Sequence, residues 1–595
     1  MEEPRVCRCP WPRAEPTVAP AVLLPMVEQP QPPSDDAPPP PRILVIGAGP
    51  AGLEAAVALE LSGFSVTVIE RGEHVGQSVR DWGHCRLFTT NHANCSSFGL
   101  QALEELGVAR PAPNVQPTGM QFCDHYLEPM ARYLLESEHG CEVLCSTNAI
   151  SLGRAAGLKG ERDRGHFSCL VAGVPDGEER ILDGFSAVVD CTGTYGNGNS
   201  CGRGGMAALG ERALRRSSAD HLRGRRQYRS GVLPCNAFFD GLPDVKELDA
   251  ASFLPRPGSR AVSLAVVGSG YGAATTLSSI IELAASRENL YEYSVHWFIR
   301  SRRDEGEPFA KDVVRLPAMA KLAERLNLHA VHTSKSDRGK YGRTPTVHVH
   351  RGSAIDSVKQ QGDAGSKLVV TGTREPAADP NTSVDDTEAA IDRNQADEPF
   401  SLEVDTFVSQ CGYRPHLELA REMAVRLDDN LEAPMMFSGA LNEHIAVAAE
   451  LHGASPPEEP FFGPDHLVTD EPGYYILGSK SFGRNSGFFL QTAHQQAAML
   501  ATMLREQLFA PEGSPEEHQA ATKVQALVRG NSTRRHLAKQ DEPSAEQHAA
   551  ATKVQAMARG RNARKHLAEA KVEATRPDVA PEDGAVAAAP FRSTG

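Results

Sequence analysis

The chain has 595 residues, 40% of them hydrophobic, and 61 basic against 76 acidic side chains give it a formal net charge of −15. That length implies about three or four domains, and the acidic balance excludes a whole-chain nucleic-acid binder held by phosphate contacts. No apolar run is long enough to span a membrane, the first residues lack the pattern of a secretory signal, and the 12 Cys include no CxxC pair, so reduced thiols in a cytoplasmic protein fit better than disulfides or a metal site.

Residues 1–41 hold 13 of the 42 Pro and read as a disordered arm, because such a stretch favours polyproline II and buries no core. From Arg42 to about residue 510, short Val/Ile-rich runs alternate with Ala/Leu-rich helical stretches, the pattern of an α/β protein with parallel sheets. Residues 374–399 interrupt it. They are acidic, contain Pro and nearly lack large apolar side chains, which predicts a disordered surface insertion.

The first chemical signal opens the ordered part. The strand Arg42-Ile43-Leu44-Val45-Ile46 runs directly into Gly47-Ala48-Gly49-Pro50-Ala51-Gly52, and an Ala/Leu-rich helix follows. A second strand, Ser65-Val66-Thr67-Val68-Ile69, ends in Glu70 with Arg71 beside it. This is a dinucleotide fingerprint: Gly47 permits the tight turn, Gly49 lets a pyrophosphate approach the helix N-terminus, and Gly52 lets helix and strand pack closely. Glu70 stands where a carboxylate accepts both ribose hydroxyls.

The second signal repeats the first. The strand Val262-Ser263-Leu264-Ala265-Val266-Val267 precedes Gly268-Ser269-Gly270-Tyr271-Gly272-Ala273, with Ala273 at the third position, where only close packing is required. After a helix over 274–285, the strand Tyr293-Ser294-Val295-His296-Trp297-Phe298-Ile299 ends in Arg300-Ser301-Arg302-Arg303 and not in a carboxylate. Guanidinium groups at that place suit a 2′-phosphate, favouring NADPH over NADH; the alternative reading is a solvated basic loop.

Two such fingerprints about 220 residues apart resemble the two-dinucleotide-binding flavoproteins, in which the first site holds FAD and the second NADPH. Val188-Val189-Asp190-Cys191-Thr192-Gly193 and Phe407-Val408-Ser409-Gln410-Cys411-Gly412-Tyr413 look like that superfamily's two crossings between domains, with Cys411 where Thr is common. Tyr474-Tyr475-Ile476-Leu477-Gly478-Ser479-Lys480 occupies the place of its last FAD-contacting strand. The resemblance implies that Gly193 and Gly478 line the FAD site, and it covers about residues 42–508. It implies a division into an FAD-binding part over 42–225, an NADPH-binding domain over 226–404 and a second FAD-binding part over 405–510.

The Cys spacing separates the branches of that superfamily. Cys85 and Cys95 are too far apart for one dithiol arrangement, and no Cys lies between 236 and 410 for the other. Arg86-Leu87-Phe88-Thr89-Thr90-Asn91 resembles the Leu…Thr-Asn segment of flavin-containing monooxygenases, which implies Asn91 as the catalytic neighbour of the flavin; a loop-capping Asn is the alternative. The FxGxxxH stretch of those monooxygenases is absent from 194–260.

After Pro511 the chain becomes a repeat. Val524, Gln525, Arg529, Gly530, Arg534 and Leu537 recur 30 residues later as Val554, Gln555, Arg559, Gly560, Arg564 and Leu567. Both copies fit the IQ motif, with Val for the usual Ile, and residues 521–570 carry ten Lys/Arg against four Asp/Glu. A basic amphipathic helix is a groove ligand for an acidic EF-hand protein, so 511–570 reads as tandem helices for calmodulin or a related light chain, and 571–595 as a disordered tail.

The expectation is therefore an α/β protein with two Rossmann-like dinucleotide-binding domains, a disordered N-terminal arm and a helical C-terminal tail. The resemblance implies an FAD- and NADPH-dependent oxidoreductase, a monooxygenase using a flavin C4a-hydroperoxide on a small nucleophilic or carbonyl substrate, tethered or regulated through calmodulin. The alternatives are an NADPH-dependent flavoprotein reductase that inserts no oxygen, and a calmodulin-binding protein whose flavin is structural. No metal, nucleic acid or membrane span is expected.

Overall fold

The computed structural model describes residues 39–157, 159, 165–175, 177–216, 238–245, 261–285, 292–302, 316–331, 345–361, 367–376, 397–450 and 461–509. The chain divides into two compact units, Met1–Phe509 and Ala510–Gly595, and all described residues belong to the first. Residues 1–38 of the Pro-rich arm, 377–396 of the acidic insertion, Arg303 and both tail repeats lie outside the described residues.

The first half begins with β1 (Arg42–Ile46), α1 (Pro50–Glu60) and β2 (Ser65–Ile69). Helices α2 (Ser97–Glu105) and α3 (Glu128–Glu136) follow, then β3 (Glu142–Leu144), β4 (Thr147–Arg154), β5 (Phe167–Gly173), β6 (Glu179–Phe185) and β7 (Ala187–Asp190). The second half carries β8 (Phe238–Asp240), β9 (Ala261–Val267), α4 (Tyr271–Ala285), β10 (Glu292–Phe298), α5 (Pro317–Val331) and β11 (Thr346–His350). It continues through β12 (Ala354–Gln360), β13 (Leu368–Arg374), β14 (Glu398–Val404) and β15 (Thr406–Ser409). The chain then returns through α6 (Met435–Glu450), β16 (Tyr474–Ile476) and α7 (Leu490–Leu508).

Two five-stranded sheets organise these elements, in the orders β16-β7-β1-β2-β3 and β11-β10-β9-β15-β8, and every pairing within them is parallel. Such strands are covered on both faces, which is why β1, β2 and β7 read as continuous apolar runs. Helix α1 is buried from Gly52 to Glu60, enclosed by its sheet and by core residues of α2, α3 and α7 such as Leu103, Leu134, Leu500 and Leu504.

Sequence patterning did not resolve two further sheets. The antiparallel meanders β4-β5-β6 and β12-β13-β14 occupy corresponding places, the first inserted between β3 and β7 of one parallel sheet and the second between β11 and β15 of the other. The ends of the acidic stretch 374–399 are therefore strand: Arg374 pairs with Glu398 across β13 and β14.

The domain boundaries read from the sequence need two corrections. Thr406–Ser409 pairs with β9 and β8, so the crossing out of the second sheet comes after Ser409 and not at 405. Residues 201–214, assigned to the first FAD-binding part, already pack on the second sheet. Gly202 and Leu209 bridge to Ile355 and Ser357, and Cys201, Ala208 and Leu214 join the core around Phe407. The two crossing segments are themselves paired: the Asn199 N–H donates to the Gly412 carbonyl at 2.9 Å, and the Arg414 N–H to that of Asn197 at 3.0 Å.

Candidate functional site

At the C-terminal end of β1 the backbone turns at Gly47, with φ +100, and a Cβ there would lie 2.7 Å from the carbonyl oxygen of Cys191 on the neighbouring crossing. A Cβ on Gly52 would lie 1.8 Å from the Gly47 carbonyl oxygen, so the turn and the first turn of α1 touch backbone to backbone. Gly49 is different: a Cβ there would meet nothing within 4 Å. The N-terminus of α1, begun by Pro50, therefore presents its outward N–H groups to open space, the geometry that receives a phosphate. Gly478, at φ +70, passes directly over Ala51.

Glu70 closes the same end. Its Oε2 accepts from the Ala48 N–H at 2.9 Å and its Oε1 from the Gly72 N–H at 2.7 Å. Each oxygen keeps a further lone pair, as a ribose hydroxyl pair requires. The Arg71 guanidinium lies against Gly196. Gly193 has φ +67, and Ser479 Oγ stands 3.3 Å from where its Cβ would be.

Behind this cradle lies a charged group the sequence reading missed. Lys480 Nζ donates to Asp190 Oδ2 at 2.6 Å and to Thr192 Oγ1 at 3.0 Å, with Lys480 1% and Asp190 0% exposed. Tyr474 Oη donates to the same Oδ2 at 2.7 Å, and the Thr192 hydroxyl to Oδ1 at 2.7 Å. Burial alone would push the Asp190 carboxyl up, but the Lys480 ammonium and the three hydroxyl and ammonium donors hold it below the usual carboxylate range. The pair joins the ends of β7 and β16, and Gln496 of α7 accepts from the Gly478 N–H at 2.8 Å beside it.

The second turn repeats the first. Gly268 has φ +129, and a Cβ there would lie 2.1 Å from the Gln410 carbonyl oxygen on the crossing strand. Gly270 again faces open space, while Ala273 is fully buried at the close-packing position. Trp297 Nε1 donates to the Gly268 carbonyl at 2.8 Å, and the Gln410 amide donates to the Gly241 carbonyl and to Thr276, each at 2.7 Å. Ser269, Tyr271 and Gly272 stand on the same turn, and the ring of Tyr271 meets Phe88 edge-on at 5.7 Å. The loop that holds Asn91 thus reaches the second turn.

Register refines the specificity reading. Ile46 pairs with Ile69 just before Glu70, and Val267 pairs with Phe298, so Ile299 and not Arg300 occupies the place of Glu70. Ile299 is 1% exposed, so an apolar side chain stands where the first site has its carboxylate. Arg300 is exposed. Arg302 is not an unclaimed cation: its Nη2 lies 2.8 and 2.9 Å from the two Asp397 oxygens.

Asn91 starts a short helical turn, Asn91–Asn94, and its Nδ2 donates to the Ala112 carbonyl at 2.9 Å. Close by is a second buried cluster that sequence spacing could not reveal. Glu54 of α1, 1% exposed, accepts from Tyr126 Oη at 2.6 Å and from the Ser96 hydroxyl, and His494 Nε2 of α7 lies 3.3 Å away. Tyr126 sits in a π-turn, Cys123–Leu127, whose extra residue per turn aims the phenol at α1.

All nine cysteines among the described residues are free. Burial is the first cause pushing each thiol up, to about 11 at Cys85, Cys141 and Cys411 and about 12 at Cys95, Cys123 and Cys169, with Cys145, Cys191 and Cys201 also raised. Among the described residues no group of three or more His, Cys, Asp or Glu is placed to hold a metal ion, and no helix is long and apolar enough to cross a membrane.

Residues 44–147, which contain the first glycine turn and Glu70, match the pyridine nucleotide-disulphide oxidoreductase family model, and residues 518–538 and 548–568 each match the IQ calmodulin-binding motif. The first match runs from β1 to the start of β4, and the second covers both tail repeats. No curated protein matches it. Among solved structures it is similar to the bacillithiol disulfide reductase Bdr (YpdA) of Bacillus cereus, with 16% identity over 78% of this chain and 99% of that one and a TM-score of 0.47. The enzyme of the same name from Staphylococcus aureus is 13% identical over 78% and 98%, with a TM-score of 0.44. Thioredoxin reductase of Lactococcus lactis is 13% identical over 79% and 99%, with a TM-score of 0.40.

Proposed function

We propose that the chain is an oxidoreductase that holds FAD on the first glycine turn, draws electrons from NADPH on the second, and acts as a monooxygenase tethered to calmodulin or a related EF-hand light chain. The carrying observation is the pair of turns whose middle glycines, Gly49 and Gly270, both face open space while Gly47 and Gly268 are wedged against crossing-strand carbonyls. The residues fit the first cofactor: Gly49 and the α1 N-terminus take its pyrophosphate, Glu70 its ribose, and Arg71, Gly193 and Gly478 line the cradle. The flavin supplies the hydride-accepting and oxygen-reactive chemistry when bound. Gly268, Ser269, Gly270, Tyr271, Gly272 and Ala273 offer the matching cradle for NADPH, with Arg300, Arg302 and Arg303 toward its 2′-phosphate.

The contact of Phe88 with Tyr271 favours the monooxygenase reading, because it brings the Asn91 loop to the second nucleotide turn. The raised thiols disfavour disulfide exchange, since the thiolate is the reactive form. One observation favours the reading without oxygen insertion: the Asn91 amide already donates to Ala112. The IQ motifs would recruit the EF-hand partner through Val524, Leu537, Val554 and Leu567 with their flanking arginines.

The test is to purify the full chain, identify the released cofactor, and mix the protein with NADPH first without and then with oxygen. FAD release, anaerobic bleaching by NADPH and oxygen-dependent product from an amine or sulfide are the expected results. Stoichiometric peroxide with every acceptor offered supports the reductase, and absence of flavin overturns both readings. Deleting residues 512–595 is expected to leave a flavin-bearing protein that no longer binds calmodulin.

A further inference from the structure

Arg302 lies in the loop after β10, at the edge where a nucleotide's ribose would sit, and two carboxylates from outside the parallel sheet already occupy it. Its Nη2 spans both oxygens of Asp397 at 2.8 and 2.9 Å, and its Nη1 lies 3.4 Å from Glu375 Oε1. Glu375 follows β13 and Asp397 precedes β14, so the open end of the antiparallel sheet delivers both acids to the nucleotide edge. The arrangement is built. The Glu375 N–H donates to the Arg351 carbonyl at 3.0 Å, and the Gly352 N–H to that of Ser301 at 3.1 Å. From beneath, the Arg351 guanidinium, 7% exposed, donates to the Ser301 carbonyl at 3.1 Å and the Arg302 carbonyl at 2.6 Å, fixing the backbone that carries Arg302.

The two acids differ in access. Glu375 is 9% exposed and wedged under Gly352, whereas Asp397 is 31% exposed at the outer side of the guanidinium. With Ile299 in the place of a ribose carboxylate, the charges near this strand end among the described residues are Arg300, Arg302, the underlying Arg351 and these two acids. An incoming 2′-phosphate and the Asp397 carboxylate seek the same guanidinium donors.

We propose that Asp397 is a specificity-determining residue of the second nucleotide site: an internal carboxylate that occupies Arg302 and is displaced by the 2′-phosphate of NADPH, Glu375 remaining as the inner partner. This rests on the reading that the second glycine turn takes a pyridine nucleotide. Asp397 thereby narrows the margin between NADPH and NADH that the arginines alone would give.

Titrating adenosine 2′,5′-bisphosphate and 5′-AMP into the full chain by calorimetry tests it without turnover. In Asp397→Asn, affinity for the bisphosphate is expected to rise about two- to fivefold, the range that removal of a half-exposed ion pair shifts an equilibrium, while 5′-AMP is unchanged. The KM for NADPH falls in parallel and that for NADH does not. In an Arg302→Ala background the same substitution does nothing, and Asp397→Ser, too short to reach Arg302, shows the gain even where an Asn side chain bonds Arg302 and hides it. Unchanged or weaker bisphosphate binding in both Asp397 variants, or an equal gain for 5′-AMP, overturns the role of Asp397. A protein that binds neither ligand and oxidises neither NADPH nor NADH overturns the nucleotide reading itself.

Discussion

Replacing Lys480 by Met tests whether the buried pair behind the first turn holds this half of the molecule together. The substitution leaves the Asp190 carboxylate 0% exposed, with donors from Tyr474 and Thr192 but without its counter-charge. Removing one member of a buried, hydrogen-bonded pair costs about 3–5 kcal/mol, against about 1 kcal/mol or less for a solvated one. Replacing both members, as in Asp190→Leu with Lys480→Met, removes the stranded charge and leaves the Tyr474 hydroxyl and the Thr192 hydroxyl and N–H to re-pair. The double variant is therefore expected to be more stable than Lys480→Met alone, a departure from additivity that a surface pair does not produce. Urea unfolding of the full chain, followed by circular dichroism, reads these differences. The pH dependence carries a second check. In the wild type the carboxyl is held below its ordinary range, so the pair's contribution is complete above about pH 4 and is lost as pH falls through the folded value. Without Lys480, burial raises the same carboxyl, which then takes up a proton in the folded state, and the deficit of the variant shrinks on going from mildly alkaline to mildly acidic conditions. A Lys480→Met protein within about 1 kcal/mol of wild type at all pH values refutes the reasoning.

Three further expectations follow from the geometry. Gly52→Ala, whose Cβ would lie 1.8 Å from the Gly47 carbonyl, should abolish soluble folded protein, whereas Gly49→Val, whose Cβ meets nothing within 4 Å, should leave the unfolding midpoint of flavin-free protein intact and remove flavin retention. Equal effects in gel filtration and denaturation would contradict that division. Gly270→Val should keep flavin and lose NADPH-dependent bleaching, and loss of flavin there would mean that the second turn supports the first site. His350, buried at the end of β11, accepts from Arg374 at 2.6 Å and contacts His296 at 3.0 Å, and burial with the Arg374 charge pushes it down to about 3 and His296 to about 4. Because the unfolded chain binds protons there more readily, stability is complete above about pH 6.5 and falls toward pH 4, by about 2 kcal/mol from His350 at pH 5. Urea midpoints of His350→Phe should lack that part of the slope.

Both glycine turns were legible because their signals are local: a strand, three small residues at fixed offsets, and a helix that must start at once. What the sequence concealed depends on distant partners. Asp190 ends β7 and Lys480 follows its neighbour β16, but 290 residues of chain separate them, so no spacing rule relates them. Residues 374–399 look like uninterrupted polar insertion, yet Arg374 and Glu398 pair across a sheet and Asp397 reaches Arg302. The antiparallel strands escaped notice for a related reason. Exposed β6, with Arg180, Asp183 and Gly184 among its residues, lacks a clean apolar alternation, and its place is set by β5 beside it. Ile299 shows the limit of counting: only the strand register places it opposite Glu70's role and moves Arg300 one position outward.

The two turns share one plan and differ in what backs them. In both, a crossing-strand carbonyl presses on the first glycine, from Cys191 in one half and from Gln410 in the other. Behind the first stands a buried ion pair with a full set of donors, a second glycine contact at Gly478, and a carboxylate whose two oxygens are each anchored by a backbone N–H. The bonds to the second turn itself, from Trp297 and Gln410, are neutral. An ion pair of this half, Arg215 with Glu211 and Asp240, is partly exposed, with Arg215 at 19% and Asp240 at 34%, and the groups facing the ribose edge are the exposed Arg300 and the half-exposed Arg302. A group bound at the first turn meets a rigid, desolvated frame that loses much if the group leaves. One bound at the second meets solvated charges, whose attraction is strong on approach, screened by salt and readily exchanged. That asymmetry suits a cofactor that stays and a nucleotide that comes and goes, and it arises on two nearly identical sheets from the residues that follow each crossing.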